Sequence, residues 1–427
     1  MMITGKPFAP THWDSKDLKT YHVIDSLGSA VHLDRKMKLL GALLTGRLPI
    51  GPVDLLLNRL MAYNGYEGFR LGAGLATNDR ITRYGSLGGY FAYGFKDRQW
   101  KYGGDLTIKP FYGRDFHLKA SYSNDLSETG GVAFNGQSQG FSTESSRLFF
   151  ADRMDRTERF AGEVMTRVGS SLKLWIGTER ALRVNDIGYQ YREQLGEGIT
   201  RYRNDFLTGA ITFHLRWAFR EKLARLPDRE LALGSKYPVL YVHAMRAMKG
   251  LWEGEWDTWR LDAMVEKTFR IRLVGNLSVR VLGGVADANA PMAFLYNLRG
   301  TSSAKFPLSV DNTFQTMLPN EFLADRYVEI HLRHSFGKLL VKSKYFNPQP
   351  ALLSSAAFGD ISHPENHSGL TFTSLRQGYF ESGVVIDNLL KSGLSSLGAG
   401  VFYRYGPYAL EKTGDNIMFK FTIAYAL

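Results

Sequence analysis

The sequence predicts an all-β fold, a transmembrane antiparallel β-barrel of about sixteen strands preceded by a short N-terminal helical segment. Three observations carry that prediction. Many segments of about ten residues alternate apolar and polar side chains, the length a tilted strand needs to cross the hydrocarbon layer. No run of about 18 apolar residues exists to cross as a helix, since the best stretch, 39–57, is broken by Arg47, Pro49, Pro52 and Asp54. The connections between alternating segments are uneven, where a soluble propeller or sandwich predicts strands of about five or six residues at near-regular spacing.

Composition narrows the classes further. The 427 residues include 44 Gly, 27 Phe, 22 Tyr and 7 Trp but no Cys, which removes disulfide frameworks, thiolate metal sites and cysteine nucleophiles. A formal charge of +12 raises nucleic acid as a partner, yet the basic residues stand singly among apolar ones rather than clustering on one face. A mean hydropathy of −0.21 suits strands that average a lipid face with a wet one.

Taken in order, residues 1–36 stand apart. Asp14 or Ser15 is placed to cap a short helix in which Leu18, Tyr21, Ile24 and Leu27 share a face, expected as a periplasmic lead-in. The barrel is expected over 37–427, with strands near 39–55, 66–77, 84–95, 99–110, 115–124, 156–168, 171–181, 203–217, 237–245, 258–268, 275–288, 326–336, 351–360, 378–388, 397–405 and 417–427. The fourth shows the pattern: Trp100, Tyr102, Leu106 and Ile108 oppose Lys101, Asp105, Thr107 and Lys109. In the eighth, Ile211, Phe213, Leu215 and Trp217 oppose Thr212, His214 and Arg216. In the tenth, Trp259, Leu261 and Val265 oppose Arg260, Asp262 and Glu266, and in the last Phe419, Phe421 and Ile423 oppose Lys420 and Thr422. With the first strand running outward, the connections 125–155, 182–202, 289–325 and 361–377 are external and long, and most of the others are short. Residues 218–236 depart from that rule, and Glu221, Lys222, Arg225 and Asp228 suggest a short charged helix there.

Chemistry-bearing patterns are sparse. His363 and His367 are four apart, but on a Pro-bearing loop without zinc-protease spacing. His331 and His334, three apart on a strand, face opposite ways. The one Gly-x-Ser-x-Gly match, 136–140, falls inside the long Ser/Gly-rich connection 125–155 rather than on a strand-to-helix elbow, no phosphate loop occurs, and Arg260, Asp262, Glu266 and Arg280 read as an ordinary charge ladder in a wet lumen. No enzyme activity, metal or cofactor is expected. The residue that stands out is Arg299, within 289–325. A long loop there is expected to fold into the lumen, where a buried guanidinium needs a carboxylate. Glu329 and Asp360 are the candidate partners.

Leu298–Arg299–Gly300–Thr301, with five strands after it, resembles the loop-six Arg–Gly motif of the outer-membrane insertase and translocase barrels, the bacterial surface-antigen superfamily. Three segments, 63–72 (YNGYEGFRLG), 89–103 (GYFAYGFKDRQWKYG) and 379–383 (YFESG), resemble a Bacteroidetes-type outer-membrane family of unknown function, in which a signal peptide and a non-catalytic carboxypeptidase-regulatory-like sandwich precede the barrel. The resemblance implies a non-enzymatic barrel in the bacterial outer membrane that inserts or exports another polypeptide or surface component. Arg299 and Gly300 would anchor the loop through Glu329 or Asp360, and the seam between first and last strands would open sideways. The implied partners are outer-membrane lipid, a polypeptide client and a periplasmic or lipoprotein partner. The chain departs from the pattern at both ends. No signal or sandwich precedes the barrel, so the sequence is expected to be the downstream part of a longer exported protein, and it closes on Tyr425–Ala426–Leu427 rather than on an aromatic. The alternative is a passive pore or surface scaffold with an anion-favouring lumen.

Overall fold

A computed structural model describes residue 42 and residues 45–425, apart from 112–113, 136–142, 197, 226–229, 233, 338–345 and 393–394. The N-terminal segment expected over 1–36 lies outside the described residues.

One sheet of eighteen strand segments forms the body of the protein. Fifteen of them are long crossing strands: β2 (Gly68–Thr77), β3 (Gly85–Gly94), β4 (Trp100–Ile108), β5 (Phe116–Glu128), β6 (Met154–Val168), β7 (Leu172–Val184), β8 (Asp205–Ala218), β9 (Val239–Ala247), β10 (Thr258–Ile271), β11 (Gly275–Ala286), β12 (Arg326–Ser335), β13 (Gln349–Asp360), β14 (Tyr379–Ser392), β15 (Ser395–Tyr405) and β16 (Ile417–Tyr425). Each pairs antiparallel with its sequence neighbour.

The first crossing, β1, comes in two pieces, Val53–Leu56 and Met61–Asn64, that lie end to end along β2. Between them Leu57–Arg59 forms a single 3-10 turn. Gly72 makes room for that turn, since a Cβ there would stand 2.8 Å from the Arg59 carbonyl oxygen. The first strand was expected at 39–55, and here the structure corrects the sequence reading. Gly51–Pro52 is a turn, with Gly51 in the left-handed region (φ 63), so Arg47–Ile50 folds back on Val53–Leu56 as a short hairpin, and the crossing runs on to Asn64.

A second correction concerns 218–236, where Asp228 lies outside the described residues. Among the described residues Glu221, Lys222 and Arg225 do not wind into a helix. Leu223–Arg225 pairs with Glu230–Ala232 as a small hairpin, closed by Lys222 N donating to Gly234 O (3.1 Å). Glu221 turns back to take both guanidinium nitrogens of Arg216 (2.9 and 2.5 Å), so its charge serves the end of β8 rather than a helix face.

Alternation along the strands sorts the side chains. On β4, Trp100 is 61% exposed and Lys101 2%, and on β16, Phe419 is 69% exposed and Lys420 2%. The outward residues are apolar over the whole circuit, including Leu75, Phe91, Ile176, Ile211 and Leu261, as a lipid-facing belt requires. The inward residues are charged or polar and pair across strands, as Arg159 does with Glu179 (2.6 Å) and Arg280 with Glu266 (2.9 Å).

Antiparallel alternation places 129–153, 185–204, 248–257, 287–325, 361–378 and 406–416 on one rim, and the shorter 78–84, 169–171 and 272–274 on the other. The buried apolar cluster belongs to the long-loop rim. Tyr189, Phe206, Trp256, Met292, Tyr296 and Phe322 are among its members.

Candidate functional site

The site is the longest connection, 287–325, between β11 and β12, together with the wall it rests on. Its two limbs are tied at their base by a bridge between Tyr296 and Ala324 (2.9 and 3.0 Å). Tyr296 reaches the wall only because position 284 is glycine: a Cβ there would stand 2.6 Å from the Tyr296 ring and hydroxyl. The Arg260 guanidinium lies over that ring at 4.4 Å, and Asp262 holds Arg260 at 3.0 Å.

The tip of the connection is held by three inward residues of β14, β15 and β16. Glu381 accepts from Gln315 N (2.8 Å), Thr316 N (2.9 Å) and the Thr316 hydroxyl (2.7 Å). Arg404 donates both terminal nitrogens to Glu321 (2.7 and 3.2 Å), a forked pair. Lys420 donates to the Thr301 carbonyl (2.6 Å) and to Gln315 Oε1 (3.2 Å). All three wall residues are buried, so every bond replaces water that the wall would otherwise have to admit.

Arg299 and Gly300 lie within this lodged segment. The Arg299 carbonyl accepts from Phe314 N (2.9 Å), and its guanidinium stands 3.8 Å from Glu144, in the 3-10 turn Thr143–Phe150 of the neighbouring long connection. Glu144 also pairs with Arg280 (2.7 Å) and accepts from Asn312 (2.6 Å). Gly300 fits directly beneath Leu318, whose carbonyl oxygen would be 2.3 Å from any Cβ at that position. Glu329 acts on the Arg299 guanidinium through space, beyond ion-pair distance, and Asp360 lies elsewhere. Glu329 is fully buried on β12 with its oxygens free of hydrogen bonds, 3.6 Å from His331 Nε2. Asp360 sits at the rim and pairs with Arg326 (3.1 Å) and Arg376 (3.0 Å). Neither makes an ion pair with Arg299. The carboxylates that the sequence reasoning missed are Glu381 and Glu144. Glu381 stood in the quoted segment 379–383, but its partners are loop amides, which no side-chain spacing reveals.

At the seam between β1 and β16, no ladder joins the two strands among the described residues. Part of the β16 edge is taken instead by the long connection. Phe421 N donates to Pro307 O and Ser309 N donates to Phe421 O, both at 2.7 Å, with Leu308 opposite Phe421 in parallel register. The Phe306 ring meets Tyr63 of β1 at 5.0 Å.

The long-loop rim is closed above this by an aromatic group. Met292 N donates to Tyr189 Oη (3.0 Å), which lies 2.8 Å from His367 Nδ1, so the hydroxyl proton points to the imidazole. Three long connections thereby meet at one tyrosine. Burial pulls His367 down to about 4, against the opposing influence of Glu365, and its Nε2 has no partner. Below the loop lies a cavity of about 1330 Å³ whose lining includes Arg159, Arg183, Arg299, Arg333, Glu163 and Glu266.

Fold and site together define a transmembrane β-barrel, of sixteen crossings among the described residues, with a lodged connection between the eleventh and twelfth. Residues 203–344 match a family model described as "Family of unknown function (DUF5686) C-terminal domain". No curated protein matches the chain. Among solved structures, BamA from Haemophilus ducreyi lacking POTRA domains 1–3 superposes with a TM-score of 0.54 at 12% identity, over 85% of this chain and 68% of that one. CdiB from Escherichia coli gives a TM-score of 0.45 at 9% identity, over 88% of this chain and 62% of that one. CdiB from Acinetobacter baumannii gives 0.41 at 12%, over 85% and 58%. At such identities the BamA likeness is one of fold.

Proposed function

We propose that the chain is a non-enzymatic barrel of the bacterial outer membrane that inserts or exports another polypeptide or surface component, working with a periplasmic or lipoprotein partner. The observation that carries this reading is a coincidence of position. The lodged connection is held on β14 to β16, and that wall ends in a strand edge with no ladder to β1 among the described residues. A pore has no use for such an edge, because an unpaired backbone in lipid is costly. A barrel that must part its wall to pass a client needs one. In this reading Arg299 ties the lodged loop to the neighbouring connection through Glu144, and Gly300 permits the close passage beneath Leu318. The BamA-like fold agrees with the reading.

The passive-pore reading keeps one observation in its favour, the arginine-rich cavity. Planar-bilayer recording separates the two. The insertion reading expects a nearly closed barrel with brief openings that become larger in Glu381→Ala, whose loop is released. A large, steady, anion-preferring conductance in the native chain would overturn it.

A further inference from the structure

We infer that His214 and His243, facing each other across β8 and β9, form a two-histidine site for a borderline divalent transition metal, copper(II) before zinc, taken up from the water of the cavity. The inference stands on the geometry of the lumen wall and is independent of the proposed function.

Strand register makes the pair. His214 stands directly opposite His243 in the antiparallel ladder, which sets their Cβ atoms about 4.5–5.5 Å apart on the inward face. The rings lie face to face, with centroids 4.4 Å apart and planes 14° from parallel. Two nitrogens on one ion, each at about 2.0–2.1 Å, stand about 3 Å apart, so a turn of each ring about its own torsions brings one nitrogen from each to a shared ion. Both residues line the cavity beneath the lodged connection. That gives an aqueous ion its way in and supplies the waters that complete its coordination.

The nitrogens are chemically ready. Asp262 of β10 stands 2.8 Å from His243 Nδ1. That carboxylate already accepts from Arg260 Nε at 3.0 and 3.2 Å, so it is ionised and has no proton to give. His243 Nδ1 is therefore the donor, and Nε2 is left with a bare lone pair. A carboxylate behind a histidine fixes the ring and raises its basicity, the support that metal-binding histidines ordinarily have. His214 Nδ1 is buried without a hydrogen-bond partner, and a metal would satisfy it. Glu179, the other acid that bears on His214, is engaged by Arg159 (2.6 Å) and Arg183 (3.2 Å). The pair thus offers imidazole nitrogen, which suits copper(II) and zinc, and not the shell of oxygens that calcium or magnesium takes.

The test titrates the full chain, in detergent micelles and stripped with a chelator, with copper(II), and reads the paramagnetic resonance of the bound ion. The native chain is expected to hold an ion carrying two imidazole nitrogens. His214→Gln and His243→Gln are each expected to lose that signal, and the double variant sets the background from histidines elsewhere. Asp262→Asn keeps both rings but loosens the hold on His243, and is expected to lower the affinity about 10–100-fold. Excess zinc is expected to displace copper(II), and calcium and magnesium are expected not to. The metal-free thermal midpoint is expected to be equal in the native chain and the two single variants, and zinc is expected to raise it in the native chain alone. A two-nitrogen signal in the double variant, a single variant that binds as tightly as the native chain, or displacement by calcium would overturn the inference. The displacement arms use the native chain, so they decide the matter whatever the stability of the variants.

Discussion

Replacing Glu381 with alanine is the most direct test of what holds the long connection in place. The carboxylate accepts three hydrogen bonds of 2.7–2.9 Å, two of them from main-chain amides that have no side chain to turn elsewhere. Orphaning a buried amide costs about 1–3 kcal/mol, so two cost about 2–6 kcal/mol. The Thr316 hydroxyl keeps Tyr379 at 2.7 Å and adds little to the loss. Removing the acid also relieves its own burial, which brings the expected destabilisation of the loop to about 3 kcal/mol. Hydrogen exchange resolved to residues 314–317 reads this directly, because about 3 kcal/mol corresponds to exchange faster by roughly a hundredfold. Glu381→Gln keeps one acceptor oxygen and is expected to lose about half as much. Arg299→Ala removes a contact of 3.8 Å, beyond hydrogen-bonding range, and is expected to cost less than about 1 kcal/mol. Unchanged exchange at these amides in Glu381→Ala, with the barrel intact, would refute the reasoning. So would a larger effect from Arg299→Ala.

Other outcomes follow from the same geometry. Gly300→Val forces a side chain against the Leu318 carbonyl, and the loop should be destabilised by about 1–3 kcal/mol, read as a lower midpoint of loop proteolysis. Gly284→Ala should displace the Tyr296 ring and break its stacking on Arg260, visible as faster exchange at the Tyr296 amide. His367 titrates at about 4 when the aromatic rim is closed and near 6.5 when it is open, so the open form binds the extra proton between those values. Closure is therefore full above about pH 6.5 and weakens as pH falls, by up to about 3 kcal/mol below pH 4. Trp256 emission should follow that curve in the native chain and lose its dependence in His367→Phe. Leu75→Arg, on the lipid face of β2, should lower the thermal midpoint in lipid by the equivalent of about 2–4 kcal/mol if it lies near the midplane.

The strands were legible because a barrel wall writes its two solvents into alternate residues. Trp100 against Lys101 and Phe419 against Lys420 are readable in any order of discovery. The first strand was not, since Leu55, Leu56 and Leu57 break the alternation where the 3-10 turn interrupts the crossing, and no local pattern announces a strand in two pieces. The charges of 218–236 resembled a helix face because Glu221 is spaced like one, while its actual partner is Arg216 on the preceding strand. Within the site, Arg299 and Gly300 were found by their place in the chain. Glu381 and Lys420 looked like ordinary polar members of alternating strands, because what they bind is largely loop backbone, and backbone is the same at every position.

The attachments of the long connection are lopsided. It is bonded to β14, β15 and β16 through Glu381, Arg404 and Lys420, and meets β1 through a ring contact between Phe306 and Tyr63. A molecule slit along that line divides into unequal partners. The plug is bonded to the C-terminal bank and, through Asn297 and Asn312, to the end of β5 and the connection after it, so the freedom to swing falls to the strands before these, with the broken first strand foremost. Exchange measured during opening should rise first in β1 and β2, while the plug and its bank stay quiet.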